Sequence, residues 1–211
     1  MFRIVQVIGL ISLLSACNDN TSNNKGAEQE GSTHQSDSAD TVHQSAYNFK
    51  VCSIVPAAKD FPGGYNIKIG GTIMDGNHSV YESPLEAGKD IAELLKQGVC
   101  LATTNSCSMI RASDDFPGGY NIQIGDAALV GNHSVYGSPT EASKDIAELI
   151  NQGVCKPNKN QCAIVRASAD FPGGYLIKIG DITLNGNHSV YGSLLDAGKD
   201  IAQFREDGTC Q

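Results

Sequence analysis

The sequence predicts an α+β protein made of three tandem small modules, each a short antiparallel sheet plus one helix, with one disulfide per module. Three observations predict it. The pentapeptide FPGGY recurs at Phe61–Tyr65, Phe116–Tyr120 and Phe171–Tyr175. The segments Cys52–Cys100, Cys107–Cys155 and Cys162–Cys210 align without a gap at a period of about 55 residues, and about half their positions are the same in all three. Six cysteines bracket the copies, and a seventh, Cys17, stands alone near the start.

Composition supports small units. The chain has 211 residues, 6% aromatics and no Trp, too little bulk for one large core. Its net charge of −8 leaves no basic stripe to displace counterions from a phosphate backbone, so nucleic acid is not an expected partner.

The chain begins MFRIVQVIGLISLLSAC, with one Arg, an apolar run from Ile4 to Leu14, and small residues ahead of Cys17. The run is too short to span a bilayer. Leu14-Ser15-Ala16-Cys17 resembles the lipobox of bacterial lipoprotein signals at each of its four positions. The resemblance implies removal of residues 1–16, attachment of fatty chains such as palmitate to Cys17, and a place in the bacterial cell envelope. Each buried methylene contributes about 0.8 kcal/mol, so several chains together hold where one holds marginally. An ordinary cleaved signal or a buried apolar start is the alternative. Residues 17–48 are then the lipidated Cys and a tether. Their Asn, Ser, Gln, Asp and Thr cannot bury enough surface to offset ordering entropy, and a coil of that length spans roughly 30 Å on average.

The modules follow at 49–100, 107–155 and 162–211. A strand after the first cysteine, as in CSIVPAA, leads to the DFPGGY turn. Pro62 presets φ at the second turn position, and Gly63 accepts the positive φ that a type II turn demands next. Tyr65–Ile69 alternates as a strand, with Ile67 and Ile69 facing inward and Lys68 outward. Gly76-Asn77 and its equivalents predict a second turn before a short HSVY strand. Ser83, Pro84 and Glu86 then mark a helix start, and Gly98 its end. Ser193 is kept in the third copy but followed by Leu194 and Asp196, a weaker cap.

Six cysteines allow 15 pairings. A copied unit carrying its own bridge needs no rearrangement, which favours Cys52–Cys100, Cys107–Cys155 and Cys162–Cys210. The rival scheme joins Cys100 to Cys107, Cys155 to Cys162 and Cys52 to Cys210 in a closed pseudo-threefold body. Under the first scheme each copy is expected to fold as an independent anchored bead.

Unchanged residues divide into two groups. Cysteines, glycines, Ile67, Ile69, Ala87 and Ile91 are accounted for by packing and backbone geometry. Asp60, Phe61, Tyr65, Asn77, His78, Ser79, Tyr81, Lys89 and Asp90, with their equivalents, are not. A zinc site needs three or four converging ligands, and His78, His133 and His188 each lack a second ligand within their copy, so no metal is expected. Ser79 lacks the turn of a nucleophile elbow, and its neighbour His78 points the other way on a strand, so neither catalysis nor a cofactor is expected. Aromatic rings beside polar groups suit sugar or protein recognition, and packing of both rings in the core is the alternative. The candidate binding residues are therefore Phe61, Tyr65, Asn77 and His78; Phe116, Tyr120, Asn132 and His133; and Phe171, Tyr175, Asn187 and His188.

The order YNIQIG, then an Ala-rich helix ending in Gly, is similar to the SPOR peptidoglycan-binding domain. Its strand-to-helix stretch is shorter than the one here and it has no cysteine frame, so no site residues are carried over. The expected function is a lipid-anchored, multivalent binder of a glycan such as peptidoglycan, or of an envelope protein. The alternative is an inhibitor or immunity lipoprotein directed at an exported hydrolase.

Overall fold

A computed structural model of the chain describes residues 50–76, 79–131 and 133–211. The signal, Cys17 and the tether lie outside the described residues, as do Asn77, His78 and Asn132. The described part falls in one compact unit, Ala46–Gln211.

The first module comprises β1 (Cys52–Pro56), β2 (Tyr65–Ile69), β3 (Thr72–Met74) and α1 (Pro84–Lys96). The second repeats this as β4 (Cys107–Arg111), β5 (Tyr120–Ile124), β6 (Ala127–Ala128) and α2 (Pro139–Asn151). The third contains β7 (Cys162–Arg166), β8 (Tyr175–Ile179), β9 (Ile182–Leu184) and α3 (Leu194–Glu206). Each sheet is antiparallel with its strands in chain order, and Ile54 lies opposite Ile67 as Met109 lies opposite Ile122.

The FPGGY turn is built as its residues require. Gly64 N donates to Phe61 O at 3.1 Å across Pro62 and Gly63, and Gly63 has φ of 85°. The third strand differs from expectation. It is Thr72–Met74, ahead of the GNHS turn, because Gly70 at φ 59° folds the chain straight back on β2. Among the described residues the HSVY segment contributes only an isolated bridge between Tyr81 and Tyr65.

All three helices start at a serine whose side chain accepts a backbone N–H three residues on, from Glu86, Glu141 and Asp196. Glu86 and Glu141 also accept from the backbone N–H of Glu82 and Gly137. Asp196 instead accepts from the Ser193 hydroxyl, so the third helix lacks that backward reach. Gly98, Gly153 and Gly208 close the helices at φ of 71°, 75° and 71°.

The disulfides are Cys52–Cys100, Cys107–Cys155 and Cys162–Cys210, each at a sequence separation of 48. The closed threefold body is thereby excluded. Each bridge ties the head of a module's first strand to the chain just past its helix. Backbone bonds continue the tie: Cys52 N donates to Leu101 O, and Leu101 N to Lys50 O, both at 3.1 Å.

The modules are not separate beads. One apolar core runs through all three, and α1 packs on α2 as α2 packs on α3. Replacing both Cys107 and Cys155 by Ser should remove roughly 4 kcal/mol of stability through loop entropy, a large share of the about 5–15 kcal/mol of a folded domain. Urea unfolding of the full chain checks it. An unchanged midpoint would show that packing between modules alone holds the middle one.

Candidate functional site

The unexplained residues sort by what they touch. Tyr81, Tyr136 and Tyr191 donate to the carboxylates of Asp90, Asp145 and Asp200 at 2.7, 2.9 and 2.8 Å, locking each GNHSVY segment to its own helix. Burial, reinforced by the partner carboxylate, raises the Tyr81 pKa to about 12 and pushes Tyr136 and Tyr191 up as well. Burial also raises the Asp145 carboxyl.

The turn itself is closed by serine. Ser134 Oγ donates to Gly131 O at 2.7 Å and accepts from Gly131 N at 2.8 Å, and Ser189 Oγ donates to Gly186 O. His133 and His188 both sit at φ 54°, a conformation uncommon outside glycine, with exposed side chains. Among the described residues no group of three or more His, Cys, Asp or Glu is placed to hold a metal ion.

Sequence reasoning gave no role to Asn66 and Asn121. Each is buried in a strand and donates twice, to Met74 O and Ser79 O or to Leu129 O and Ser134 O, stitching the sheet to the turn. The polar residue inside the alternation of YNIKI and YNIQI was the available signal. In the third copy Leu176 replaces it.

Tyr65 and Tyr120 are not ligand-facing. Both are fully buried, because the turn of one module is covered by the GNHS segment of the next. Tyr120 Oη accepts from Gly186 N at 2.7 Å and donates to Ser189 Oγ at 2.8 Å, and Asn187 N donates to Gly118 O at 2.8 Å. In the preceding junction Tyr65 Oη stands beside Ser134. That serine has already engaged Gly131, and the phenol oxygen has no well-aligned partner among the described residues. A Cβ at Gly131 would come within 2.7 Å of Tyr65 Oη, so the absence of a side chain there permits the close approach.

Helices meet through matched small and polar residues. Gly88 of α1 faces Gln152 and Val154 beyond the end of α2, and a Cβ at Gly88 would overlap the Gln152 amide. At the next junction Ser143 of α2 donates to Asp207. Thr140 reaches Asp200 at 3.2 Å, and Arg111 reaches Asn185.

Phe61, Phe116 and Phe171 behave differently. They are 57%, 54% and 55% exposed at the tips of their turns, next to exposed Asp60, Asp115 and Asp170. Lys89, Lys144 and Lys199 are also exposed. The structure therefore separates the predicted constellation: tyrosine is consumed by the junction, while phenylalanine is left in solvent. Tyr175, which no described module covers, is half-buried under the Arg166 guanidinium at 5.1 Å.

No protein-family model matches the chain, nor does a curated protein or a solved structure.

Two outcomes follow. Tyr120→Phe should cost about 1–3 kcal/mol, because it strands the part-buried Gly186 N–H and removes the donor that Ser189 Oγ accepts from, whereas Tyr175→Phe should cost little; chemical denaturation of both variants checks this. The tyrosine–aspartate bonds need the protonated phenol. Their contribution is complete below the ordinary pKa of 10.0 and falls away as pH rises through the raised folded values, so melting temperature should drop from about pH 10 upward. Tyr81→Phe should shrink that drop.

Proposed function

We propose that the protein is a lipid-anchored component of the bacterial cell envelope whose three modules present a fixed row of aromatic turn tips to a repetitive ligand, a glycan such as peptidoglycan. The observation that carries this reading is the exposure of Phe61, Phe116 and Phe171 at equivalent places in stacked modules. An apolar ring held in water by a proline-glycine turn contributes little to folding. It offers a flat, low-entropy surface beside a carboxylate, the pairing that suits a sugar ring and its hydroxyls. Three such tips at a constant repeat bind a repeating polymer with an effective concentration that one tip lacks. The Leu14-Ser15-Ala16-Cys17 sequence supports anchoring, and the polar stretch after it supports display away from the lipid.

Binding of the full chain to purified peptidoglycan sacculi tests the proposal. The triple variant F61A/F116A/F171A should lose retention with its melting temperature unchanged, and single variants should lose less because two tips remain. Equal retention of wild type and triple variant would remove the phenylalanine row from the ligand surface. Failure of the wild type to bind sacculi would rule out this glycan and turn the search to envelope proteins.

A further inference from the structure

Both internal junctions are heterologous: the turn-and-helix face of one module packs on the GNHS-and-helix-end face of the next. Among the described residues such a contact leaves one face of the first module and one face of the third uncovered. Burial marks them out. Val154 and Thr209, inside the junctions, are 1% and 0% exposed, whereas their equivalent Val99 in the first module is 48% exposed. Leu149 and Phe204 are fully buried, but Leu94 is only half-buried. Leu94 lines an open cleft of about 380 Å³ with Ile67, Ile69, Met74 and Tyr81, rimmed by Asp90 and Glu93.

The opposite end is open in the complementary way. Pro84 and Pro139 are buried, yet Leu194 in their place is 55% exposed, and the adjacent Leu195 is 71% exposed. End modules of a stacked array ordinarily carry a polar outer face. Here the third module has Leu194 where the other two have a buried proline, and it leaves exposed Leu195, the counterpart of Leu85 and Thr140, both of which are half-buried.

We propose that the free face of the third module docks on the free face of the first module in a second copy of this chain, head to tail, repeating the junction already made twice within it.

The pairings across the junction support a second copy as the occupant. Gly88 makes room for Gln152 and Val154, while Ser143 bonds Asp207 with Thr209 beside it in the chain. The two free ends carry Gly198 on one side and Gln97 with Val99 on the other, the same combination as the first junction. Tyr175 and Ser79 repeat the tyrosine–serine pair of Tyr120 with Ser189. Most telling is the position where Arg111 reaches Asn185. The first junction has Pro56 and Val130 there, two apolar residues, and the free ends have Arg166 and Asp75, opposite charges. The polar pair at the second junction and the charged pair on the two uncovered faces are each complementary.

Sedimentation velocity of the full chain in nonionic detergent tests this, with two substitutions at exposed positions. Leu195→Asp spoils the third module's face and Val99→Asp the first module's face. The wild type should associate with rising concentration, and each variant alone should associate at least about tenfold more weakly. Mixed together, the variants should form a dimer and nothing larger, since only one intact face of each kind remains. A wild type that stays monomeric to about 1 mM overturns the proposal, as does association that survives either substitution or is not restored on mixing. Unchanged melting temperatures of the two variants exclude misfolding as the cause.

Discussion

Each module depends on a single covalent constraint, the bridge from the first residue of its leading strand to the chain just beyond its helix. A unit of about 50 residues buries too little apolar surface to fix a helix on a three-stranded sheet by packing alone. The bridge sets where the helix ends relative to the sheet, and the backbone pairing of residues such as Lys50 and Leu101 propagates that setting outward. With it set, the tyrosine–aspartate bond brings the GNHSVY segment down on the helix start. The face offered to a neighbouring module is therefore the same each time.

Stacking then supplies what a single module lacks. Side chains half-buried in the first copy become fully buried in the second, as Met74 compares with Leu129 and Leu94 with Leu149. The apolar core is consequently continuous, and stability is shared between the bridge inside a module and the neighbour outside it. Tyrosine serves this second purpose, which explains why a residue that looked like part of a recognition surface is inaccessible in two of its three occurrences.

Much of the module was legible in the sequence because its signals are local. Cysteine parity, the proline-glycine turn, the alternation of YNIKI and the serine cap each report on backbone geometry within a few residues. The third strand was misplaced because Gly70-Gly71 gave no periodic signal, and HSVY resembles a strand while acting as a side-chain-held turn. The candidate site was only partly legible. Comparing three copies reveals which residues do not drift, but packing between copies preserves a residue as firmly as ligand binding does. Tyr65 and Phe61, both invariant and four residues apart, could be told apart only by where neighbouring modules lie.

The small contacts at the helix junctions also bear on how such a chain can change. Joining the first module directly to the third would set Gly88 against Asp207, leaving the carboxylate without the hydroxyl that Ser143 gives it. Inserting another copy of the second module after itself would put Ser143 against Gln152, whose amide rests where Gly88 leaves room. The three repeats look interchangeable by identity, yet shuffling them is penalised at single side chains, so their order is itself an inherited property of the fold.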